Sequence, residues 1–153
     1  MKIRAISALV AGVVATGLVA IAVGAEPEQA AKGEGKQATQ PSHRVVACYF
    51  HRTQRCPTCQ KIGSYIEEGI QAGYATEIND GRVAVTMVDF QDPKNESYTN
   101  YYQITGPTLV LMDVRDGKVT AWKPAPKVWS LVGKKDAFFQ YVQGEVRSYL
   151  EAK

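Results

Sequence analysis

The chain has 153 residues, 45% of them hydrophobic, with 18 Lys and Arg against 15 Asp and Glu and three cysteines. Setting aside the two basic residues among the first 25 leaves 16 basic against 15 acidic groups, a balance that excludes a polyanion-binding surface and therefore a nucleic-acid partner.

The first 25 residues do not read as part of a folded domain. Lys2 and Arg4 form a basic start, Ala5 to Val23 is uncharged and largely apolar, and Val23-Gly24-Ala25 offers small residues for cleavage before Glu26. This is the outline of a secretory signal. The apolar run also approaches the length that spans a bilayer, so an uncleaved membrane anchor is the alternative. Either way the rest of the chain is expected outside the cytoplasm, periplasmic or secreted. No cysteine precedes Cys48, so no thiol is placed to carry a lipid at the cleavage point. Residues 26–42, rich in Glu, Gln, Lys, Gly and Ala, hold too little apolar surface to pack and read as a flexible linker. Residues 43–153 suffice for one small domain.

Within that domain, Arg44 to His51 is a continuous β-prone run, as expected of a strand covered on both faces. Cys56-Pro57-Thr58-Cys59 follows. Pro57 suits the first position of a helix, and Ile62, Tyr65, Ile66, Gly69, Ile70 and Tyr74 recur at three- and four-residue steps, giving a helix from about Pro57 to Ala72. Asn79-Asp80-Gly81 is turn chemistry and Arg82 to Phe90 a second strand, expected to lie parallel to the first. After Asp92-Pro93, the spacing of Tyr98, Tyr101, Tyr102 and Ile104 predicts a short helix whose tyrosines pack in the core, ending near Thr105-Gly106-Pro107. Thr108 to Val114 and Lys118 to Trp122 form an antiparallel hairpin around Arg115-Asp116-Gly117. Lys123 to Val128 reads as irregular. From about Lys134, Phe138, Phe139, Val142, Val146, Tyr149 and Leu150 mark a last amphipathic helix.

Two thiols three positions apart at a helix start can lie within disulfide reach, an arrangement suited to reversible thiol chemistry. Other readings exist for such a pair in an exported chain. With no second pair and only His43 and His51 as imidazoles, a four-ligand zinc site is hard to assemble. Gln60 stands where covalent haem attachment needs histidine. The two thiols with His51 could hold cuprous copper, which prefers sulfur. Cys48, flanked by Ala47 and Tyr49, reads as a buried apolar residue. Trp122 and Trp129 flank a proline-containing loop and either border the site or cover the sheet edge.

The element order strand, helix, strand, helix, strand, strand, helix, together with Cys56-Pro57-Thr58-Cys59 and the later Thr105-Gly106-Pro107-Thr108-Leu109-Val110-Leu111, resembles the thioredoxin-like superfamily over residues 44 to 151. More narrowly, the export segment, Arg55-Cys56-Pro57-Thr58-Cys59 and the Trp129-to-Leu150 tail resemble a small thioredoxin-like family known as a nitrophenyl-compound nitroreductase subunit. The broader resemblance implies an α/β fold with a central mixed four-stranded sheet flanked by helices. It also implies a cis Gly106–Pro107 bond facing the active sulfur, and backbone at Thr105, Gly106 and Pro107 that pairs with an extended substrate.

By the same likeness Cys56 is the exposed nucleophile and Cys59 the inner, resolving thiol, tuned by Arg55, Pro57 and Thr58 around them. A free thiol is only ~3% thiolate at pH 7, and a helix start and a nearby cation favour the anion that attacks. The resemblance needs no cofactor beyond the Cys56–Cys59 couple and no metal. The partner is a protein thiol or disulfide; the alternative is a partner reductase served by this chain as an accessory subunit. The chain departs from the family pattern in Arg55, in Pro57 and Thr58, and in Cys48-Tyr49-Phe50, where thioredoxins carry a tryptophan, a glycine-proline pair and a buried aspartate. The missing aspartate leaves proton transfer to Cys59 without its usual acceptor.

Overall fold

The computed structural model describes residues 41–152. The expected signal or anchor at 1–25 and nearly all of the linker at 26–42 lie outside the described residues. Eight main elements follow in order: β1 (His43–His51), α1 (Pro57–Asn79), β2 (Val83–Asp89), α2 (Glu96–Tyr101), β3 (Thr108–Arg115), β4 (Lys118–Pro124), α3 (Val128–Leu131) and α4 (Lys135–Leu150). The strands form one sheet in the order β2-β1-β3-β4, with β1 parallel to β2 and antiparallel to β3. This is the mixed four-stranded sheet flanked by helices that the sequence resemblance implies. Among the described residues no helix is long and apolar enough to cross a membrane.

β1 is the central strand because its run of buried residues has a covered partner on each face. Val45, Ala47 and Tyr49 join Leu109 and Leu111 of β3 beneath α1 and α4, which contribute Ile62, Ile66, Ile70, Phe138, Val142 and Val146. Cys48 and Phe50 point the other way, into a smaller cluster with Tyr102, Val110, Met112 and Val114. Period-two alternation therefore splits one strand between two cores.

α1 runs seven residues past its expected end at Ala72. The i+4 series Ile66, Ile70, Tyr74 extends to Ile78, which packs against the larger core, so the buried stripe carries the helix across non-helical backbone at Tyr74 (φ −139°, ψ 34°). Where α1 meets α4, small residues allow close approach. Tyr74 donates its hydroxyl to the Gln143 carbonyl at 2.6 Å, and Gln143 Nε2 donates to the Gly69 carbonyl at 2.7 Å.

Two further expectations need correction. Tyr98 and Tyr101 are 51% and 63% exposed, and only Tyr102 of that set is buried, because α2 is a single short helix that turns one edge to the sheet. The stretch at 123–128 is not all irregular: β4 continues to Pro124, the Ala125 amide bonds the Leu109 carbonyl at 2.8 Å, and α3 begins at Val128. The β3–β4 hairpin is as expected. Asp116 and Gly117 both take positive φ, 49° and 77°, the two-residue turn that matches strand twist.

A side chain at Gly69 would enter the α1–α4 contact, since a Cβ there lies 2.9 Å from Phe139 Cδ1 and 3.2 Å from Val142 Cγ2. Gly69→Val is expected to destabilise the domain by ~1–3 kcal/mol through overpacking, read as a lower urea midpoint at unchanged m-value.

Candidate active site

Cys56 caps α1. Its backbone is extended (φ −72°, ψ 160°), Pro57 opens the helix, and the Cys59 amide donates to Cys56 Sγ at 3.1 Å. A cap of this kind satisfies one amide that the first helical turn leaves without a partner. The two cysteines are joined as a disulfide with Cα atoms 5.1 Å apart. Their environments differ: Cys56 is exposed with Pro57 and Thr58, whereas Cys59 is 6% exposed on the buried face of α1. One sulfur faces solvent and the other faces the core.

The approach to Cys56 is braced from β2. The Phe90 amide bonds the His51 carbonyl at 2.9 Å, Thr53 donates its amide to Gln91 Oε1 at 3.2 Å, and the Gln91 amide donates to Asp89 Oδ1 at 2.9 Å. Hydrogen bonds from the Thr53 side chain and the Gln91 amide hold the half-buried Asp89 carboxyl below its usual range. These residues carried no sequence signal, being ordinary polar loop positions until the strand ends are placed side by side.

The Arg55 guanidinium lies alongside α1 near Gly63. A Cβ placed on Gly63 would lie 3.7 Å from Arg55 Nη1 and 3.8 Å from Tyr49 Cδ1, so both side chains border the same point of the helix. Tyr49 is fully buried, with no hydrogen-bond partner for its hydroxyl among the described residues. Burial raises its pKa, and the Arg55 charge opposes that rise. The structure thus puts a phenol on the larger-core face of β1, with no carboxylate at Cys48, Tyr49 or Phe50.

Pro107 reaches the same end of the sheet, since Phe50 near the end of β1 pairs with Thr108 at the start of β3. Its peptide bond is not the expected cis one: no described peptide bond is cis. The local bonding accommodates the ordinary trans form, with Thr108 Oγ1 donating to the Gly106 carbonyl at 2.9 Å and Trp129 Nε1 donating to the Pro107 carbonyl at 3.0 Å. Thr105 is exposed beside them, and Gly106 and Pro107 are part-buried. Of the two tryptophans, Trp129 borders this loop, while Trp122 packs edge-on against Tyr102 at 5.2 Å between ring centroids.

His51 bonds the Arg52 carbonyl through Nδ1 at 2.9 Å. Among the described residues no group of three or more His, Cys, Asp and Glu is placed to hold a metal ion. Cys48 is the remaining thiol, 2% exposed in the smaller core, and burial pushes its pKa up to about 12.

No protein-family model matches the chain, and no curated protein matches it. Solved structures similar to it include oxidised thioredoxin O2 from Arabidopsis thaliana, at 18% identity and a TM-score of 0.39, over 63% of this chain and 76% of that one. A chloroplastic thioredoxin z is 26% identical with a TM-score of 0.36, over 61% and 80%. Fasciola hepatica thioredoxin is 20% identical with a TM-score of 0.35, over 64% and 81%.

The Cys48 shift has a definite sign. The folded thiol keeps its proton to about 12, while the unfolded one loses it near 9.0, so the unfolded chain binds fewer protons in that window and stability falls as pH rises through it. Near neutral pH both states keep the proton and this group contributes no slope. In Cys48→Ala the alkaline decline is expected to be shallower by at most ~1.4 kcal/mol per pH unit, measured by urea unfolding between pH 9 and 11.5. An unchanged slope would show that Cys48 is not held neutral by the fold.

Proposed function

We propose that this chain is an exported thiol–disulfide oxidoreductase acting on protein thiols and disulfides through the Cys56–Cys59 couple. The observation that carries the reading is the asymmetric disulfide at a helix start, with an exposed sulfur backed by a buried one. The Cys59 amide aimed at Cys56 Sγ and the positive end of α1 stabilise negative charge on that sulfur once the disulfide is reduced.

In the reducing direction, the Cys56 thiolate attacks one sulfur of a substrate disulfide and expels the other as a thiolate, leaving a mixed disulfide. Cys59 then loses its proton and attacks Cys56 Sγ, the mixed bond breaks, and the second substrate thiolate leaves. Two electrons have passed from the dithiol to the substrate, whose thiolates take up protons from solvent. Run backwards, the same steps oxidise a substrate dithiol. Backbone at Thr105 to Pro107, at the same sheet end, is the proposed docking edge for the polypeptide, and Arg55, Pro57 and Thr58 set the poise of the couple.

The apolar segment before residue 25 is proposed to deliver the domain outside the cytoplasm, as a cleaved signal or as a tether with the 26–42 linker as its leash. Fractionation of the producing cells should find the domain outside the cytoplasm; a wholly cytoplasmic protein sinks the export part of the reading.

The catalytic part is tested by dithiothreitol-driven insulin reduction. Cys56→Ser is expected to abolish turnover, and Cys59→Ser to trap a mixed disulfide visible by mass spectrometry. If the wild-type chain reduces nothing, or both serine variants match it, the cysteines are not the catalyst and an accessory role beside a partner reductase, such as a nitroreductase, takes its place.

A further inference from the structure

Resting on the oxidoreductase reading, we propose that Trp129 determines which polypeptides this site accepts, its indole ring serving as a platform for an aromatic or large apolar side chain next to the substrate's reacting cysteine.

The argument begins with the main-chain groups available for pairing. Carbonyls of alternate residues along a strand face the same edge. The Leu109 carbonyl accepts the Ala125 amide at 2.8 Å on the β4 side, and the Pro107 carbonyl, two residues earlier, accepts Trp129 Nε1 at 3.0 Å. The indole thus takes the carbonyl of the residue just before β3, beyond the end of β4. The Gly106 carbonyl is taken by Thr108 Oγ1 at 2.9 Å, and Pro107 has no N–H to offer. Across Gly106 and Pro107, therefore, both acceptors are engaged and one donor is missing. Each carbonyl keeps a second lone pair for a docking polypeptide, but backbone pairing reads no side chain, so discrimination falls to side chains.

Trp129 has the properties such a role requires. It is 39% exposed, one of three large hydrophobic residues so exposed among those described, and the other two, Tyr98 and Tyr101, sit on α2 in a different aromatic group. Its one polar atom is already bonded, so what remains uncovered is apolar ring. Covering that ring desolvates no unpaired donor. The hydrogen bond also fixes its orientation, which limits the side-chain entropy lost on binding.

The test uses two peptides, each in mixed disulfide with glutathione, identical except for Phe or Gly beside the cysteine. The reduced protein is mixed with each by stopped flow. Wild type is expected to favour the Phe peptide by ~tenfold in second-order rate constant, the scale of one aromatic anchor. Trp129→Gln keeps an amide donor for the Pro107 carbonyl and removes the ring; it should lose the preference by slowing the Phe peptide alone. Trp129→Phe keeps a ring without the donor and should retain most of the preference. Reduction of oxidised glutathione, which has no such side chain, should be unchanged in both variants. No preference in wild type, or equal slowing of both peptides in Trp129→Gln, overturns the inference while leaving the oxidoreductase intact. Failure of wild type to reduce any of the three disulfides overturns the oxidoreductase reading and this inference together.

Discussion

The antiparallel ladder between β1 and β3, running from His43↔Arg115 to Phe50↔Thr108, is the constraint on which the site depends. It brings the Cys56 loop and the Pro107 loop, some fifty residues apart in the chain, to one end of the sheet. Its register cannot drift. A slip of one residue would turn Tyr49 out of the larger core and Phe50 into it, exchanging the two faces of a strand that is buried on both. β1 is further held by β2 on its other edge, so the short segment from Arg52 to Arg55 starts from a fixed point and is tied to the end of β2 by Gln91.

Three identical side chains show how position rather than residue type sets thiol chemistry. Cys48 sits in an apolar strand interior, where desolvation keeps it neutral. Cys59 lies on the buried face of a helix one turn from the surface, and Cys56 caps that helix in solvent with an amide directed at its sulfur. Attack requires an anion and access together. Only the helix tip supplies both, and it does so because Pro57 starts the helix immediately after Cys56.

Periodicity made most of the fold legible, since it reports burial directly. The stripe through Ile62, Ile66 and Ile70, the apolar runs of β1 and β3, and the Arg115-Asp116-Gly117 turn each carry a local signal strong enough to place an element and its neighbours. The failures share a cause. Tyr98 and Tyr101 match a helical stripe, but a six-residue helix cannot bury both sides of it. Pro124 and Pro126 argue against regular structure, yet Pro124 falls at the end of β4, on the outer edge of the sheet, where a missing N–H costs little. In the site, the cysteine pair could be read because its meaning lies in its spacing. The Gln91 brace, the Arg55 charge acting on Tyr49 and the Trp129 bond to the Pro107 carbonyl could not, because each joins segments that only the folded sheet brings together.

Reactivity and recognition consequently rest on different elements. The first turn of α1 governs the sulfur, through a cap whose donor, the Cys59 amide, and acceptor, Cys56 Sγ, lie within four consecutive residues. The contact surface for a polypeptide belongs, on the proposed reading, to the start of β3 and to α3, whose Trp129 donates to the Pro107 carbonyl. These two parts are joined through the β1–β3 ladder, and among the described residues no side-chain hydrogen bond links them directly. A change confined to α3 can therefore alter which substrates approach without altering the charge on Cys56, whereas a change in the cap alters every substrate alike. That separation lets one redox couple be matched to different partners through a single exposed ring.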